Sequence, residues 1–318
     1  MLNNRRKIVL VGCGAVGSSF LYSCINTGLA SEYVLIDAFQ DVAHGNRLDF
    51  EDTLAWQERP FHKVTNGSYL DCKDADIIVV TAGRPQKPDE TRLDLVVDNA
   101  KIISNIMKEI KNSGFGGIVI IASNPVDVLT FVAQKVSGFA TNRIFGSGTI
   151  LDSSRLMFAL GEHFKISPTS VTAYIVGEHG DSSVALYSKA IVGAENLMTL
   201  KKNQLINDET LKSIHKLVIQ KAYEIIKLKK ATHYGIGVCL ARIVKAVLND
   251  EQVILPVGAY LNGEYHQKDI YTGIPAVIGS NGIERVVQLD ISEQEQEQFN
   301  SSCDALRKVI TVAIEAIN

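Results

Sequence analysis

The chain has 318 residues, enough for two domains, and its 46% hydrophobic and 21% charged residues are typical of a soluble globular protein. The net charge of -3 and the sequence pI of about 6.2 exclude an overall basic surface that would attract nucleic acid or an anionic membrane. No segment approaches the roughly 20 apolar residues of a membrane-spanning helix, and the apolar run near the N-terminus is too short for a signal peptide. Five scattered cysteines without a CxxC pair indicate reduced thiols and no metal site, so we expect a cytoplasmic protein.

The first half of the chain alternates short apolar runs with longer segments of helical period. The predicted strands are KIVLVG, YVLID, DIIVVTAG and GIVIIAS, and the predicted helices are SSFLYSCINTG, AHGNRLDFEDTLAW, LDLVVDNAKIISNIMKEI and VDVLTFVAQKV. Continuous apolar strands between amphipathic helices indicate a parallel sheet that is covered on both faces. The pattern predicts an α/β fold, a Rossmann-type doubly wound parallel sheet, in a first domain of residues 1–146.

The pattern changes beyond about residue 150. A helix is predicted near LDSSRLMFALGEHF, a strand near SVTAYIVG, a long helix through ETLKSIHKLVIQKAYEIIKL and a final amphipathic helix at the C-terminus. Between the last two, the Asn-Gly pairs at 262–263 and 281–282 separate apolar strands, and the first pair favours a type I′ hairpin turn. We therefore predict a second, α+β substrate domain with antiparallel strands over residues 147–318.

A glycine motif follows the first predicted strand. Gly12, Gly14 and Gly17 form GxGxxG before a helix, which permits a tight turn and lets a pyrophosphate approach the helix N-terminus. The motif alone is weak, because glycines often serve turns only. Asp37 strengthens it, because this carboxylate ends the second strand, about 20 residues after Gly17, where it would accept hydrogen bonds from an adenosine ribose. A carboxylate there repels a 2′-phosphate, so NAD is favoured over NADP.

Several polar residues of the remaining chain are candidates for chemistry. His179 lies in a loop after a strand, and an imidazole can give a proton to a developing alkoxide and take it back. Asp152 and Arg155 have i,i+3 spacing on one helix. They form either an ordinary surface ion pair or a carboxylate that orients His179 beside a guanidinium that binds a substrate carboxylate. Asn124 follows the fourth strand, where it either serves an Asn-Pro turn or faces a ligand crevice, or both.

Several motifs together resemble the L-lactate and malate dehydrogenase family over essentially the whole chain. They are the glycine motif, Asp37, TAGRPQKPDETR, SNPVD, FGSGTILDSSR, GEHGDS and KKATHYGI. The resemblance implies that His179 is the proton donor and acceptor, that Asp152 orients it, and that Arg155 anchors the substrate carboxylate. It further implies that Arg92 polarises the substrate carbonyl and that Asn124, Thr232 and Ile236 line the pocket. The implied cofactor residues are Gly12, Gly14, Ala15, Val16, Gly17, Asp37, Ala82, Gly83, Ser123, Asn124 and Ile236.

One uncharged amide, Gln86, aligns with the position that reads the substrate side chain in this family. Malate dehydrogenases place arginine there to neutralise the second carboxylate of oxaloacetate, and enclosing that carboxylate opposite an amide costs several kcal/mol. The resemblance therefore implies pyruvate and L-lactate as substrates. Arg84 could supply a charge instead, so a malate dehydrogenase stays an alternative, as do a dehydrogenase of larger 2-oxo acids and a non-catalytic dinucleotide-binding module.

The same resemblance suggests how the protein assembles and how it is regulated. It implies a homotetramer, with a dimer as the alternative that the sequence leaves open, and neither nucleic acid nor a membrane is expected as a partner. Many bacterial lactate dehydrogenases bind fructose 1,6-bisphosphate between subunits through an arginine and a histidine, but here Met157 and Thr172 stand at those positions. We expect weak or no activation by the bisphosphate, because both charge-assisted contacts are missing.

Overall fold

A computed structural model of the chain describes residues 6–84 and 92–318, and at residues 92 and 93 it describes the backbone only. The strands are β1 (Lys7–Val11), β2 (Glu32–Ile36), β3 (Lys63–Asn66), β4 (Ile77–Val80), β5 (Ile118–Ile121), β6 (Ile144–Gly146), β7 (Val171–Thr172), β8 (Ile175–Val176), β9 (Val184–Ala185), β10 (Ile191–Val192), β11 (Glu195–Asn196), β12 (Val253–Asn262), β13 (Lys268–Gly279) and β14 (Gly282–Val286). The α-helices are α1 (Ala15–Thr27), α2 (Gln40–Asp52), α3 (Arg92–Asn112), α4 (Val126–Ser137), α5 (Ile150–Phe164), α6 (Leu197–Lys202), α7 (Asp208–Lys229), α8 (Tyr234–Leu248) and α9 (Glu293–Glu315).

One large sheet forms the centre of the fold, with the strand order β14-β13-β12-β6-β5-β4-β1-β2-β3. The strands from β6 to β3 pair in parallel, which confirms the predicted doubly wound arrangement. The order reverses at β1, which lies between β2 and β4. In open α/β sheets, ligands bind beyond the carboxyl ends of the strands at such a switch point.

The predicted antiparallel strands also form, but they extend this sheet. β12 pairs antiparallel with β6 through Gly258 and Gly146, and β13 and β14 follow as antiparallel neighbours. Both pairing partners are glycines, and a Cβ atom on Gly258 would lie only 3.1 Å from the Gly146 Cα. The close approach of the two backbones therefore joins the two halves of the chain into one sheet.

Burial explains which elements form. Every residue of β1, β4 and β5 is buried, as expected for central parallel strands rich in Val and Ile. Among the helices, α1 packs against α8, α3 packs against α4 and α9, and α5 packs against α7. A second apolar cluster joins α5, α7 and the small strand β7. All five cysteines lie in the described part of the chain, where they are buried and form no disulfides. No helix of residues 6–84 and 92–318 is both long and apolar enough to cross a membrane.

The hairpin between β12 and β13 differs from the prediction. A two-residue type I′ turn at Asn262 and Gly263 is wrong, because Asn262 pairs with Lys268 and residues 263–267 form a longer connection. Tyr265 accounts for the extra length. Its ring is only 1% exposed, and its hydroxyl donates to the carbonyl of Val287 and accepts from the backbone N–H of Leu289, both at 2.7 Å. The connection is therefore longer because it carries this side chain into the core. The local sequence does not indicate that burial.

Two other strand boundaries also differ from the prediction. The segment SVTAYIVG, predicted as one strand, is divided into β7, which pairs with β10, and β8, which pairs with β9. In the last hairpin Gly279 pairs with Gly282, so the turn residues are Ser280 and Asn281.

Candidate active site

The glycine loop connects β1 to α1 at the switch point of the sheet. Gly12 has a φ of +100° and its N–H donates to the carbonyl of Ile36 at 2.8 Å. A Cβ atom there would lie 2.5 Å from the backbone nitrogen of Ala82, and one at Gly17 would lie 2.1 Å from the carbonyl oxygen of Gly12. Only glycine fits either position without displacing backbone.

The space in front of α1 suits a phosphate group. A Cβ atom at Gly14 would meet nothing within 4 Å, so the approach to the first helical turn is open. The N–H groups of that turn, which includes Ala15 and Val16, have no intrahelical acceptors, and the helix dipole adds partial positive charge. A pyrophosphate would therefore meet backbone donors here and no side chain.

Asp37 directly follows β2, beside the glycine loop. Its carboxylate accepts the N–H of Cys13 at 2.7 Å and the N–H of Phe39 at 2.9 Å. Two backbone donors fix the orientation of the group, and a carboxylate has lone pairs left for the hydroxyls of a ribose. The residues present thus fit an adenosine diphosphate moiety of the NAD type.

The loops after β4 and β5 are bonded to the same edge of the sheet. The hydroxyl of Thr81 donates to the carbonyl of Gly12 at 2.6 Å, and that of Ser123 donates to the carbonyl of Ala82 at 2.5 Å. Asn124 follows Ser123, and Gly83 follows Ala82. The structure thus brings the cofactor residues predicted in the glycine loop and in these two loops to one edge.

Asn99 of α3 holds these two loops together, and it was not among the residues predicted from the sequence. Its side chain is 2% exposed, accepts the N–H of Arg84 at 3.0 Å and donates to the carbonyl of Asn124 at 2.9 Å. Within an amphipathic helix, a single asparagine gives no sign of this role.

The proposed proton-transfer group lies on α5 and on the loop after β8. His179 Nδ1 lies 2.5 Å from Asp152 Oδ2, and the guanidinium of Arg155 donates to Asp152 Oδ1 at 3.2 Å. The side chains of Asp152 and Arg155 are 11% and 8% exposed, so they are not a surface ion pair. His179 is 27% exposed, and with Nδ1 engaged by the carboxylate its Nε2 is the ring nitrogen left for a substrate.

The charges of this group determine its protonation. The carboxylate of Asp152 raises the pKa of His179 to about 9, against burial, which lowers it. Burial alone would raise the pKa of Asp152, but His179 and Arg155 outweigh it and hold that pKa below its ordinary value. At neutral pH the group is therefore an imidazolium paired with a carboxylate.

Two contacts fix the backbone of the His179 loop, and both involve residues that were not predicted from the sequence. Ser302 of α9 is fully buried and its hydroxyl accepts the N–H of Glu178 at 2.9 Å. Asp127, in the first turn of α4, accepts the N–H of His179 at 2.9 Å. Asp127 is part of the SNPVD motif, three residues after Asn124, so its bond also brings the His179 loop to the loop after β5.

Ile236 lies in the first turn of α8, which packs against α1, and Thr232 lies two residues before α8 begins. Between them, His233 Nδ1 lies 3.0 Å from the hydroxyl of Ser19 in α1. A Cβ atom on Gly237 would lie 2.7 Å from the backbone of Ser19, so the two helices touch closely. This contact places the two residues beside the helix that begins at the glycine loop.

The loop that is predicted to read the substrate side chain is described only at its ends. Gln86 lies outside the described residues, and so does the side chain of Arg92, whose backbone begins α3. Arg84, at the edge of the gap, forms an ion pair with Asp98 at 2.8 Å through both Nε and one terminal nitrogen.

Comparisons with known proteins agree over both halves of the chain. Residues 6–146 match the lactate/malate dehydrogenase family in its NAD binding domain, and residues 149–317 match the alpha/beta C-terminal domain of the same family.

Individual relatives cover nearly the whole chain. An L-lactate dehydrogenase of Mycoplasma capricolum is 54% identical over 98% of each chain, and one of Pediococcus pentosaceus is 48% identical over 99% of this chain and 98% of the relative. Among solved structures, the ligand-bound minor L-lactate dehydrogenase of Enterococcus mundtii has a TM-score of 0.94 and 46% identity, over 96% of this chain and 98% of that one.

Proposed function

The chain belongs to the lactate/malate dehydrogenase family, and we propose that it catalyses the reversible reduction of pyruvate to L-lactate with NADH. One observation gives the main support for this reaction. A buried carboxylate, Asp152, holds a catalytic imidazole on one oxygen and a guanidinium on the other, at 2.5 Å and 3.2 Å. A proton donor and a carboxylate-binding cation are thus fixed next to each other.

The cofactor residues are those of the carboxyl edge of the sheet. The first turn of α1 would hold the pyrophosphate, and Asp37 the adenosine ribose, while Ala82, Gly83 and Ser123 would border the cofactor. When bound, NAD supplies or accepts the hydride. The carboxylate of Asp37 disfavours the extra phosphate of NADP by charge repulsion.

The other predicted substrate residues would contact different groups of pyruvate. Arg155 would bind the carboxylate of pyruvate, and a planar guanidinium does so through two parallel hydrogen bonds. Arg92 would lie at the carbonyl oxygen, where negative charge develops only in the transition state. Asn124 and Thr232 would border the same pocket.

His179 would complete the reaction by proton transfer. In pyruvate reduction the Nε2–H bond breaks and the proton moves to the alkoxide oxygen, which leaves a neutral imidazole. In lactate oxidation the same nitrogen accepts the hydroxyl proton. Asp152 stabilises the charged imidazolium and keeps Nδ1 protonated, so the reacting nitrogen is always Nε2.

The choice of pyruvate over oxaloacetate is supported by the charges near Gln86. A second carboxylate needs a cation inside the closed site, and Gln86 has none. Arg84 is the neighbouring candidate, but its guanidinium is already paired with Asp98 at 2.8 Å. An oxaloacetate side chain would therefore be enclosed without full compensation, at a cost of several kcal/mol.

The proposal is tested by the oxidation of NADH, followed by absorbance, with pyruvate and with oxaloacetate in parallel. We expect kcat/KM to be about 10²-fold or more higher for pyruvate. The Gln86→Arg variant, which adds the missing cation, should move the preference toward oxaloacetate. A preference for oxaloacetate in the unaltered protein would instead identify a malate dehydrogenase, and no oxidation with either keto acid would point to a binding module.

The two-domain division proposed at residues 146 and 147 is supported by the change of strand direction after β6. The amino-terminal strands are parallel, and β12 reverses direction where it pairs with Gly146. The division is thus one of topology within a shared sheet.

Self-association, with a homotetramer as the proposed state, is supported by apolar side chains on the helix surfaces. Leu217, Tyr223, Ile226 and Leu228 of α7 are between 47% and 74% exposed, and Val238 of α8 is 61% exposed. Such apolar surface usually marks an interaction site.

Weak or no activation by fructose 1,6-bisphosphate is supported by the pocket between α5, β7 and α8. Met157 and Thr172 line the same cavity of about 390 Å³, which is largely apolar. Its guanidinium, from Arg242, is paired with Glu251 at 2.6 Å. The pocket therefore offers a bisphosphate little uncompensated positive charge.

A further inference from the structure

The carboxyl group of Asp127 is an unusual feature beside the proposed proton-transfer group. Acidic residues in a first helical turn commonly face solvent, but Asp127 is only 2% exposed. One oxygen, Oδ2, accepts the N–H of His179 at 2.9 Å. The other, Oδ1, has no hydrogen-bond partner among the described residues. An asparagine or serine oxygen could accept the same N–H without burying a carboxylate, so the hydrogen bond alone does not account for an acid here.

The titratable and charged groups around Asp127 come from several elements. They are His179 and Glu178 of the loop after β8, Asp152 of α5 and Cys303 of α9. Of these, His179 carries the one positive charge, and two carboxylates contact this residue: Asp152 bonds the ring and Asp127 bonds the backbone. The guanidinium of Arg155 on α5 also acts on His179 and opposes the two carboxylates, because it lowers the pKa of His179. Burial raises the pKa of Asp127 to about 7, although the charge and backbone N–H of His179 oppose that rise. Asp127 is therefore ionised above about pH 7, over the range in which His179, with a pKa of about 9, still carries its proton.

Given the proposed function, on which this inference rests, we propose that Asp127 is a positioning residue for His179 that holds its backbone and adds a second negative charge beside the imidazolium. The two carboxylates then act together to retain the proton on His179 until the substrate takes it. After the transfer, the neutral imidazole remains next to both anions, and this favours its reprotonation from solvent.

The test is the pH dependence of kcat/KM for pyruvate in the Asp127→Asn variant at saturating NADH. The amide oxygen can still accept the His179 N–H, so the substitution removes the charge and keeps the hydrogen bond. We expect the alkaline decline of kcat/KM to move down by about one pH unit, because an opposite charge close to a titrating group shifts its pKa by about one to three units. The Asp127→Ala variant, which removes both effects, should show the same displacement and a lower kcat.

Controls separate this role from a purely structural one. Asp208→Asn removes an equal charge from the first turn of α7, where Asp208 is 68% exposed and pairs with Lys201, and should leave the pH profile unchanged. A lower kcat of Asp127→Asn on an undisplaced profile would overturn the proposal. So would the loss of NADH binding, followed by its fluorescence, in both Asp127 variants, because it would assign the residue to folding.

A second measurement does not depend on turnover. Diethyl pyrocarbonate acylates neutral imidazole, so the pH dependence of acylation of the His179 peptide, followed by mass spectrometry, reports the protonation of this residue directly. In the Asp127→Asn variant the pH dependence of acylation should also move down by about one unit. Identical curves for the unaltered and Asp127→Asn proteins would overturn the proposal. If the unaltered protein fails to oxidise NADH with pyruvate, the proposed function fails while this measurement still decides the role of Asp127.

Discussion

The glycine loop after β1 and the His179 group after β8 are built in different ways. The glycine loop presents backbone N–H groups within a short run, from Gly12 to Gly17, and the carboxylate of Asp37, which follows β2, is bonded to this run. The His179 group consists of side chains that are distant in sequence and come from α4, α5 and the loop after β8, and its charges are largely buried. A site made of backbone is local in sequence, whereas a site made of side chains exists only once the chain has folded.

The two regions are also expected to contribute differently to function, the first to cofactor affinity and the second to turnover. Backbone donors at a helix end bind a phosphate equally well before and after reaction, so they contribute to affinity. Buried charges that change protonation contribute to the reaction itself. Substitutions in the first region should therefore change the affinity for NADH, and substitutions in the second should change turnover.

The largest effect is expected for His179→Gln. The amide can donate a hydrogen bond but cannot transfer a proton, so kcat for pyruvate reduction should fall by about 10³-fold. The dissociation constant of NADH, measured by fluorescence titration, should stay within about twofold, because the cofactor residues lie elsewhere. A kcat within tenfold of the unaltered protein would contradict the role of His179, and a parallel loss of NADH binding would break the division between the two regions.

A smaller effect is expected for Asp152→Asn. The substitution removes the partner that raises the pKa of His179 and leaves the buried guanidinium of Arg155 without its anion, so kcat/KM for pyruvate should fall by about 10²-fold at neutral pH. Asp304→Asn is a matched control, because Asp304 also pairs with an arginine at i,i+3 but is 71% exposed. In steady-state kinetics, Asp304→Asn should leave kcat/KM for pyruvate unchanged. Equal losses of kcat/KM in the two variants would contradict the role of the buried carboxylate beside His179.

The smallest effect is expected for Asp37→Ala. Loss of the carboxylate removes charge-assisted hydrogen bonds to the ribose, which are worth about 1.5 kcal/mol or more, so the NADH dissociation constant should rise about tenfold. With saturating NADH, kcat should remain within about twofold. Asp41→Ala, an exposed acid in the first turn of α2, controls for the charge change. A large fall in kcat would show that the first region also serves the reaction.

The sequence predicted the parts of the fold whose pattern is local. β1, β4 and β5 are continuous apolar runs because both of their faces are buried, and each was predicted. β3 was missed because it is an edge strand in which only Val64 is fully buried, so it has no apolar pattern. α8 was missed because glycines interrupt the start of its apolar sequence.

The same rule holds for the candidate site. The glycine motif and Asp37 could be identified from spacing, whereas the partners of His179 required a family resemblance. Asp127 and Ser302 were missed altogether, because an acid in a first helical turn and a serine in a helix are common at surfaces. What distinguishes them is burial against a loop that lies far away in sequence, and local sequence does not encode that burial.

The proposed reaction depends most on a proton that the buried carboxylate of Asp152 holds on His179. The direct measurement is kcat/KM for pyruvate across pH at saturating NADH. Because the pKa of His179 is raised to about 9 and the protonated form is the reactive one, kcat/KM should stay level through neutral pH and decline around pH 9. For lactate oxidation, which needs the neutral form, the rate should rise over the same range. A decline of the pyruvate reaction centred near the ordinary histidine value of about 6.5 would contradict the account, because His179 would then titrate without the influence of Asp152.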